Sequence, residues 1–123
     1  MCKMLLSINP QHVENILAGT KRYEFRKKRC RETIDGIIIY CTSPVMKVVA
    51  EAEIEEIIED SVENVWKMTN GYGGISYAFY RQYYEGKEIA VAYKLSNINR
   101  FDVPKSLADY GLKCAPQSFA YVH

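Results

Sequence analysis

Lys21, Glu24 and Arg26 stand close together in a stretch, Gly19 to Arg29, that carries six cations, one carboxylate and two aromatics. An amine beside a carboxylate can work as general acid and base, and a lysine with an arginine can stabilise charge developing on a phosphoryl centre. The plainest alternative is a local ion pair on a solvated edge, worth at most about 1 kcal/mol. In a cleft the same pair would hold a lysine at lowered pKa or read the edge of a base. Successive side chains of a strand diverge, so at most half of these cations can meet one ligand.

The elements on either side must position this stretch. Lys3 to Ile8 reads as a first strand. Asn9-Pro10 then opens a helix, with Asn9 as N-cap, Pro10 at the first helical position and Ile8 placed to pack against Val13. Val13, Ile16 and Leu17 follow at helical spacing, and Gly19 supplies the left-handed residue that ends the helix. From Lys21 the period becomes two: Tyr23 and Phe25 on one face, Glu24, Arg26 and Lys28 on the other, a half-buried strand. Gly36 to Thr42 is apolar enough to be a central strand covered on both sides, and it stops at Ser43-Pro44.

Lys47 to Glu59 alternates small inward residues with glutamates, as suits a curved sheet or small barrel. Its parity slips at Glu55 to Ile58, which predicts a bulge. The glutamates read as a solvated outer face. Ser61 opens a second helix over Val62, Val65, Trp66 and Thr69. Gly71-Tyr72-Gly73-Gly74 reads as a linker, because no phosphate-loop lysine follows it. Ser76 caps a third helix that buries Phe79, Tyr80 and Tyr83. Glu88 to Phe101 is a strand with a second corner past Asn97. Val103 to Gly111 reads as a loop with at most one helical turn, and Gln117 to Tyr121 as a last short strand. The order β-α-β-β-β-α-α-β-β predicts an α+β domain closed into a small mixed β-barrel, one domain over residues 1–123.

Composition narrows the function classes. The chain has 123 residues, 48% hydrophobic and 25% charged, which fits a globular protein with its own core. Its net charge of +1 conceals the concentration of cations at residues 21–29. Cys2, Cys30, Cys41 and Cys114 form no CxxC pair and neither His12 nor His123 flanks them, so no metal site is expected, and no other cofactor. No apolar run reaches the roughly 20 residues that span a bilayer, and the first residues lack the apolar region of a signal peptide, so a cytoplasmic protein is expected. Ten tyrosines among fifteen aromatics are compatible with a core or with stacking on bases.

Gly19-Thr20-Lys21-Arg22-Tyr23-Glu24-Phe25-Arg26 resembles the Gly-x-Lys-x-x-Glu-x-Arg signature of ASCH domains, in the PUA-like superfamily. Leu-Ser-Ile-Asn-Pro before the first helix, Ile-Tyr-Cys-Thr-Ser-Pro-Val at Ile39 to Val45, and Ala-Pro-Gln-Ser-Phe near the end are similar to further landmarks of short stand-alone members. The resemblance implies a PUA-like barrel with helices packed at its openings and a cleft that binds RNA or a nucleotide. It implies roles in translation, RNA processing or transcription. Lys21, Glu24 and Arg26 would line the cleft with Ser43, Gln117 and Ser118, while Tyr40 and Tyr72 would stack on bases. Lys28, with Lys27 and Arg29, would form a rim that attracts a polyanion.

Some small ASCH proteins resemble amidohydrolases of N4-acetylcytidine, which use a threonine three positions after the lysine. Glu24 stands there in this chain, so the hydroxyl nucleophile is missing. A nucleic-acid-binding module is therefore the first expectation. A small hydrolase, amidohydrolase or ribonuclease, using Lys21 and Glu24, is the second, and a protein-interaction domain built on the glutamate strand is the third.

Overall fold

The computed structural model describes residues 2–31 and 33–123. Its elements run β1 (Lys3–Ile8), α1 (Pro10–Ala18), β2 (Tyr23–Arg26), β3 (Gly36–Cys41), β4 (Lys47–Ser61), α2 (Val62–Thr69), α3 (Tyr77–Tyr83), β5 (Ile89–Lys105), a 3-10 turn (Leu107–Tyr110) and β6 (Phe119–Val122). Strands pair in the order β2-β5-β4-β3-β1-β6; β1 and β3 are parallel and every other pair is antiparallel. The sheet curls into a half-barrel with the helices packed on it, an α+β fold as the sequence predicts.

Curvature comes from β4 and β5, the longest strands. Their register shifts between Ile54 and Glu56, where Glu55 is extra, and again between Glu51 and Glu53, opposite Asn97 with φ 48°. These are the two places where the apolar parity of the sequence slips. An extra residue bends a strand and increases its twist. β5 runs on to Lys105, past the end expected from its pattern, because Lys105 still pairs with Val48 across a third shift.

All six residues of β3 are buried. Ile37, Ile39 and Cys41 face one core with Met4, Leu6, Val13 and Ile16, while Ile38 and Tyr40 face another with Leu5 and Val48. Burying side chains on both faces, at about 1.5–3 kcal/mol each for residues of this size, fixes β3 at the centre. A third core of Tyr23, Phe25, Tyr80, Tyr84 and Val65 sits between β2, β5 and the helices α2 and α3. Its ring pairs, Phe25–Tyr80 at 5.2 Å and Tyr80–Tyr84 at 4.9 Å, meet edge to face. Burial pushes the Tyr80 hydroxyl up to about 12, and it donates to the Val62 carbonyl at 2.7 Å.

The edge strands β2 and β6 are not paired with each other. Side chains cross the seam instead. Arg26 donates to Ser118 Oγ at 3.1 Å, just before β6, and to the Ser7 carbonyl at 3.4 Å on β1. Ser7 in turn donates from its amide to the Ser118 carbonyl at 3.2 Å and from its hydroxyl to that of Pro116 at 2.7 Å. This seam carries the cleft described next.

Candidate functional site

Helix α1 ends where Gly19, at φ 84°, donates back to the last turn. The Asn15 carbonyl then accepts from the amides of Thr20 and Lys21, both at 3.0 Å. That cap turns the chain so that Lys21 points inward. Its side chain is 2% exposed, and its ammonium donates to the Gly73 carbonyl at 2.7 Å and lies 3.9 Å from Glu24 Oε1. Glu24, whose side chain is 9% exposed, takes the Arg26 guanidinium on its other oxygen at 2.8 Å. Two cations thus flank one carboxylate at the wall of a cleft of about 190 Å³.

Burial lowers the pKa of Lys21; Glu24 opposes that shift and Arg26 adds to it. His12, Ile75, Phe79 and Tyr83 complete the walls. His12 is also pulled down, first by burial and then by Lys21, and its Nδ1 is shut from solvent with no partner among the described residues. His12 therefore stands in the cleft wall as a neutral ring at neutral pH. Arg26 Nε is likewise buried and unpaired among the described residues. With both of its terminal nitrogens committed, Arg26 is a latch across the seam as well as a wall of the cleft.

The sequence expectation for the site divides. Lys21, Glu24 and Arg26 converge, and Ser118 joins them through Arg26. Gln117 and Ser43 are exposed and outside the cleft lining. Lys28 is also outside it: β2 ends at Arg26, so the two-residue alternation does not carry on to Lys28. Beyond that point the backbone is tied by tyrosine hydroxyls, Cys30 N–H to Tyr93 at 2.9 Å and Arg31 N–H to Tyr121 at 2.8 Å. Tyr40 is 3% exposed and sits in the core with Leu5 and Ile38, on the sheet face away from Ile37 and Ile39, so it cannot stack on a ligand in this cleft. Tyr72 is 47% exposed but outside the lining; the Arg22 guanidinium lies 4.3 Å over its ring.

The glycine loop is more than a linker. Gly74 has φ 71°, and a Cβ there would come within 2.7 Å of Lys21 Cβ and Cγ; one on Gly73 would meet the Phe25 ring at 3.1 Å. Bare backbone at 73 and 74 lets the loop close on the lysine stem. Phe79, expected in the core, is 50% exposed and lines the cleft. Its spacing of four from Tyr83 puts both on one face of α3, beside the buried Tyr80 and Tyr84, and that spacing was the available signal. His12 follows the N-cap Asn9 by three residues, which brings it to the same end of α1 as the cleft. Among the described residues no three His, Cys, Asp or Glu side chains cluster to hold a metal, and no helix is long and apolar enough to cross a membrane.

The model of the ASCH domain matches residues 6–99, most of the chain and all of the Lys21–Glu24–Arg26 wall. The chain belongs to the ASCH domain family. The crystal structure of ASCH from Zymomonas mobilis superposes on this ASCH domain with a TM-score of 0.88 at 28% identity, covering 98% of this chain and 87% of that one. An ASCH domain-containing ribonuclease of Zymomonas mobilis is 33% identical over 92 residues, 74% of this chain and 62% of its own length. The large ribosomal subunit protein uL22 of Ureaplasma parvum serovar 3 is 27% identical over 120 residues, 97% of this chain. The chain spans only 39% of that ribosomal protein, so its likeness is to a part of a longer chain.

Proposed function

We propose that this ASCH domain binds single-stranded RNA, or a nucleotide from it, by taking one base or phosphate into the Lys21–Glu24–Arg26 cleft. The observation that carries the reading is the buried cluster itself: two cations on one carboxylate leave an excess of positive charge where water is scarce. Glu24 Oε1, 3.9 Å from Lys21, remains an acceptor for the amino group of a base, and Lys21 keeps donors beyond the one spent on Gly73. A cleft of about 190 Å³ is smaller than the roughly 300–1,000 Å³ of a drug-sized site and suits a single base or phosphate. Lys27, 4.8 Å over the Tyr83 ring, extends the positive rim from the cleft wall. An RNA ligand would give the domain a role in RNA metabolism.

Affinity for a short single-stranded RNA should fall about tenfold between 50 and 200 mM salt, on the order of two to three phosphate contacts. Lys21→Ala should weaken binding at every salt concentration. Affinity indifferent to salt, or a Lys21→Ala protein that binds like the wild type, overturns the reading.

Hydrolysis of RNA is a second reading, favoured by the name of the Zymomonas mobilis relative and by the lowered proton affinity of Lys21. Lys21 and Glu24 would then serve as acid and base about the scissile phosphate. Mass spectrometry of the incubated RNA decides it: fragments absent from a Lys21→Ala control support cleavage, and an intact oligomer removes it.

A further inference from the structure

On the other side of the glycine loop lies a second groove, of about 490 Å³, that the cleft does not include. The two share Ile75 in their walls, and the Gly73–Gly74 backbone that grips Lys21 forms part of the second groove. Their chemistry differs. No side chain lining the second groove carries a charge; Trp66 and Tyr77 supply an aromatic wall, with Thr20, Asn70 and Ser76 as polar neighbours.

Tyr77 is 46% exposed and its ring centre lies 5.0 Å from that of Trp66, tilted by 57°. Trp66 is half-buried, with its ring also 5.0 Å from that of Tyr80, so the exposed Tyr77 ring, braced by Trp66, is the one that offers a π-face to a flat ligand. The Thr20 hydroxyl is spent on the Asn15 carbonyl at 3.2 Å and Ser76 Oγ on the Phe79 amide at 3.1 Å. The Asn70 amide has no side-chain hydrogen bond among the described residues and is exposed. A primary amide offers a donor and an acceptor to the edge of a base. Just outside, Arg22 presents its guanidinium on the Tyr72 ring and takes the Tyr72 carbonyl with its amide at 2.7 Å, a cation fixed to the same loop.

We propose that this groove is a second nucleobase subsite, in which Tyr77 stacks on the base neighbouring the one in the cleft, Trp66 packs at its side and Asn70 reads its edge. The chemistry favours a base over a phosphate, because the lining is aromatic and neutral while the cations stand in the cleft and at Arg22 outside. Single-stranded RNA joins the two, since adjacent bases with a flexible backbone can enter separate pockets on either side of the glycine loop. The proposal rests on RNA binding at the cleft.

Trp66 is the chain's single tryptophan, so its emission reports on this groove directly. The probe is hexa-adenylate RNA, with overall binding read by anisotropy of an end label and the groove read by Trp66 emission. The expected result is quenching of Trp66 that saturates with the anisotropy, and about tenfold weaker binding by Tyr77→Ala. Tyr77→Phe keeps the ring and should bind within about twofold of wild type, while Asn70→Ala should weaken binding a few-fold. If Tyr77→Ala fails to fold, the wild-type quench and Asn70→Ala decide the matter. Binding that is lost in Lys21→Ala but leaves Trp66 emission unchanged overturns the second subsite and spares the cleft. No binding of the hexamer by the wild type overturns both.

Discussion

Glu24 on β2 and Glu51 on β4 each sit beside a lysine, 3.9 Å from Lys21 Nζ and 3.3 Å from Lys3 Nζ respectively. In the sequence both are carboxylates of alternating strands, but Glu24 has its lysine three positions away and Glu51 has its own 48 residues away. In the fold they differ by burial: Glu24 and Lys21 expose 9% and 2% of their side chains, Glu51 and Lys3 35% and 38%. Water screens the second pair, and long side chains give up freedom to hold it. The first has little water to fall back on, so its charges depend on one another and on Gly73, Ser118 and Ser7. A charge pair becomes a site when the fold removes its solvent. It is also then costly to disturb.

Removing Glu24 should break this contrast most severely. Glu24→Ala leaves the buried Lys21 and the partly buried Arg26, two like charges, without the carboxylate between them. Loss of one partner from a buried pair costs about 3–5 kcal/mol, which in a domain of this size is a fall of roughly 10–20 °C in Tm. Thermal unfolding of Glu24→Ala and of the milder Glu24→Gln checks the expectation; a fall under about 2 °C for the alanine variant would mean that the cluster is solvated in solution. Arg26 also spans the unpaired β2 and β6 edges, so opening of that seam, read by hydrogen exchange of the Ser7 amide, should accompany the loss.

Lys21 gives the next largest effect, and with the opposite sign for stability at alkaline pH. Burial, the main cause, holds its ammonium below the ordinary value of 10.5, with Arg26 adding to the shift and Glu24 opposing it. The unfolded chain therefore binds this proton more tightly than the folded one. The resulting penalty is present at neutral pH and is relieved as pH rises through the folded value towards 10.5. Wild-type stability should thus rise as pH climbs from neutral towards 10.5, relative to Lys21→Met, which carries no proton to release. The raised tyrosines act the other way only as pH passes about 10. RNA binding should drop about tenfold in Lys21→Met, on the scale of a lost charge contact in a desolvated pocket. Parallel pH profiles of the two proteins would remove the buried-lysine account.

What the sequence reveals follows from the range of the interactions involved. The β3 run Gly36 to Cys41, the caps at Asn9, Ser61 and Ser76, and the parity slips at Glu55 and Asn97 are consequences of residues a few positions apart, and each appears in the fold. The Lys21–Glu24–Arg26 wall is legible for the same reason, since the cap at Gly19 and the short strand that follows it fix all three. The Gly73 carbonyl that receives Lys21 is 52 residues away, and no local pattern announces that meeting. Tyr40 lies in the core and not at the cleft, which its pattern does not reveal because alternation tells which residues share a face without telling which face holds the cleft. Lys28 reads as part of the strand because charge alternation continues after the hydrogen-bonded strand has ended at Arg26. Phe79 reads as a core residue because α3 carries aromatics on two adjoining faces, and hydrophobicity alone does not rank them.

Glu51 supplies the smallest effect and the sharpest control. Its carboxylate pairs with Lys3 at 3.3 Å across the β1 side of the sheet, with both groups more than a third exposed. Exposed pairs of this kind contribute about 0–1 kcal/mol and are screened further by salt. Glu51→Ala should therefore change Tm by only a few degrees at low salt, with the difference shrinking as salt is added. RNA affinity should stay near the wild-type value or rise slightly, because one negative charge is lost far along the chain from the cleft. A Glu51→Ala protein as unstable as Glu24→Ala would show that position in the alternating strand, and not exclusion of water, sets the worth of a carboxylate in this sheet.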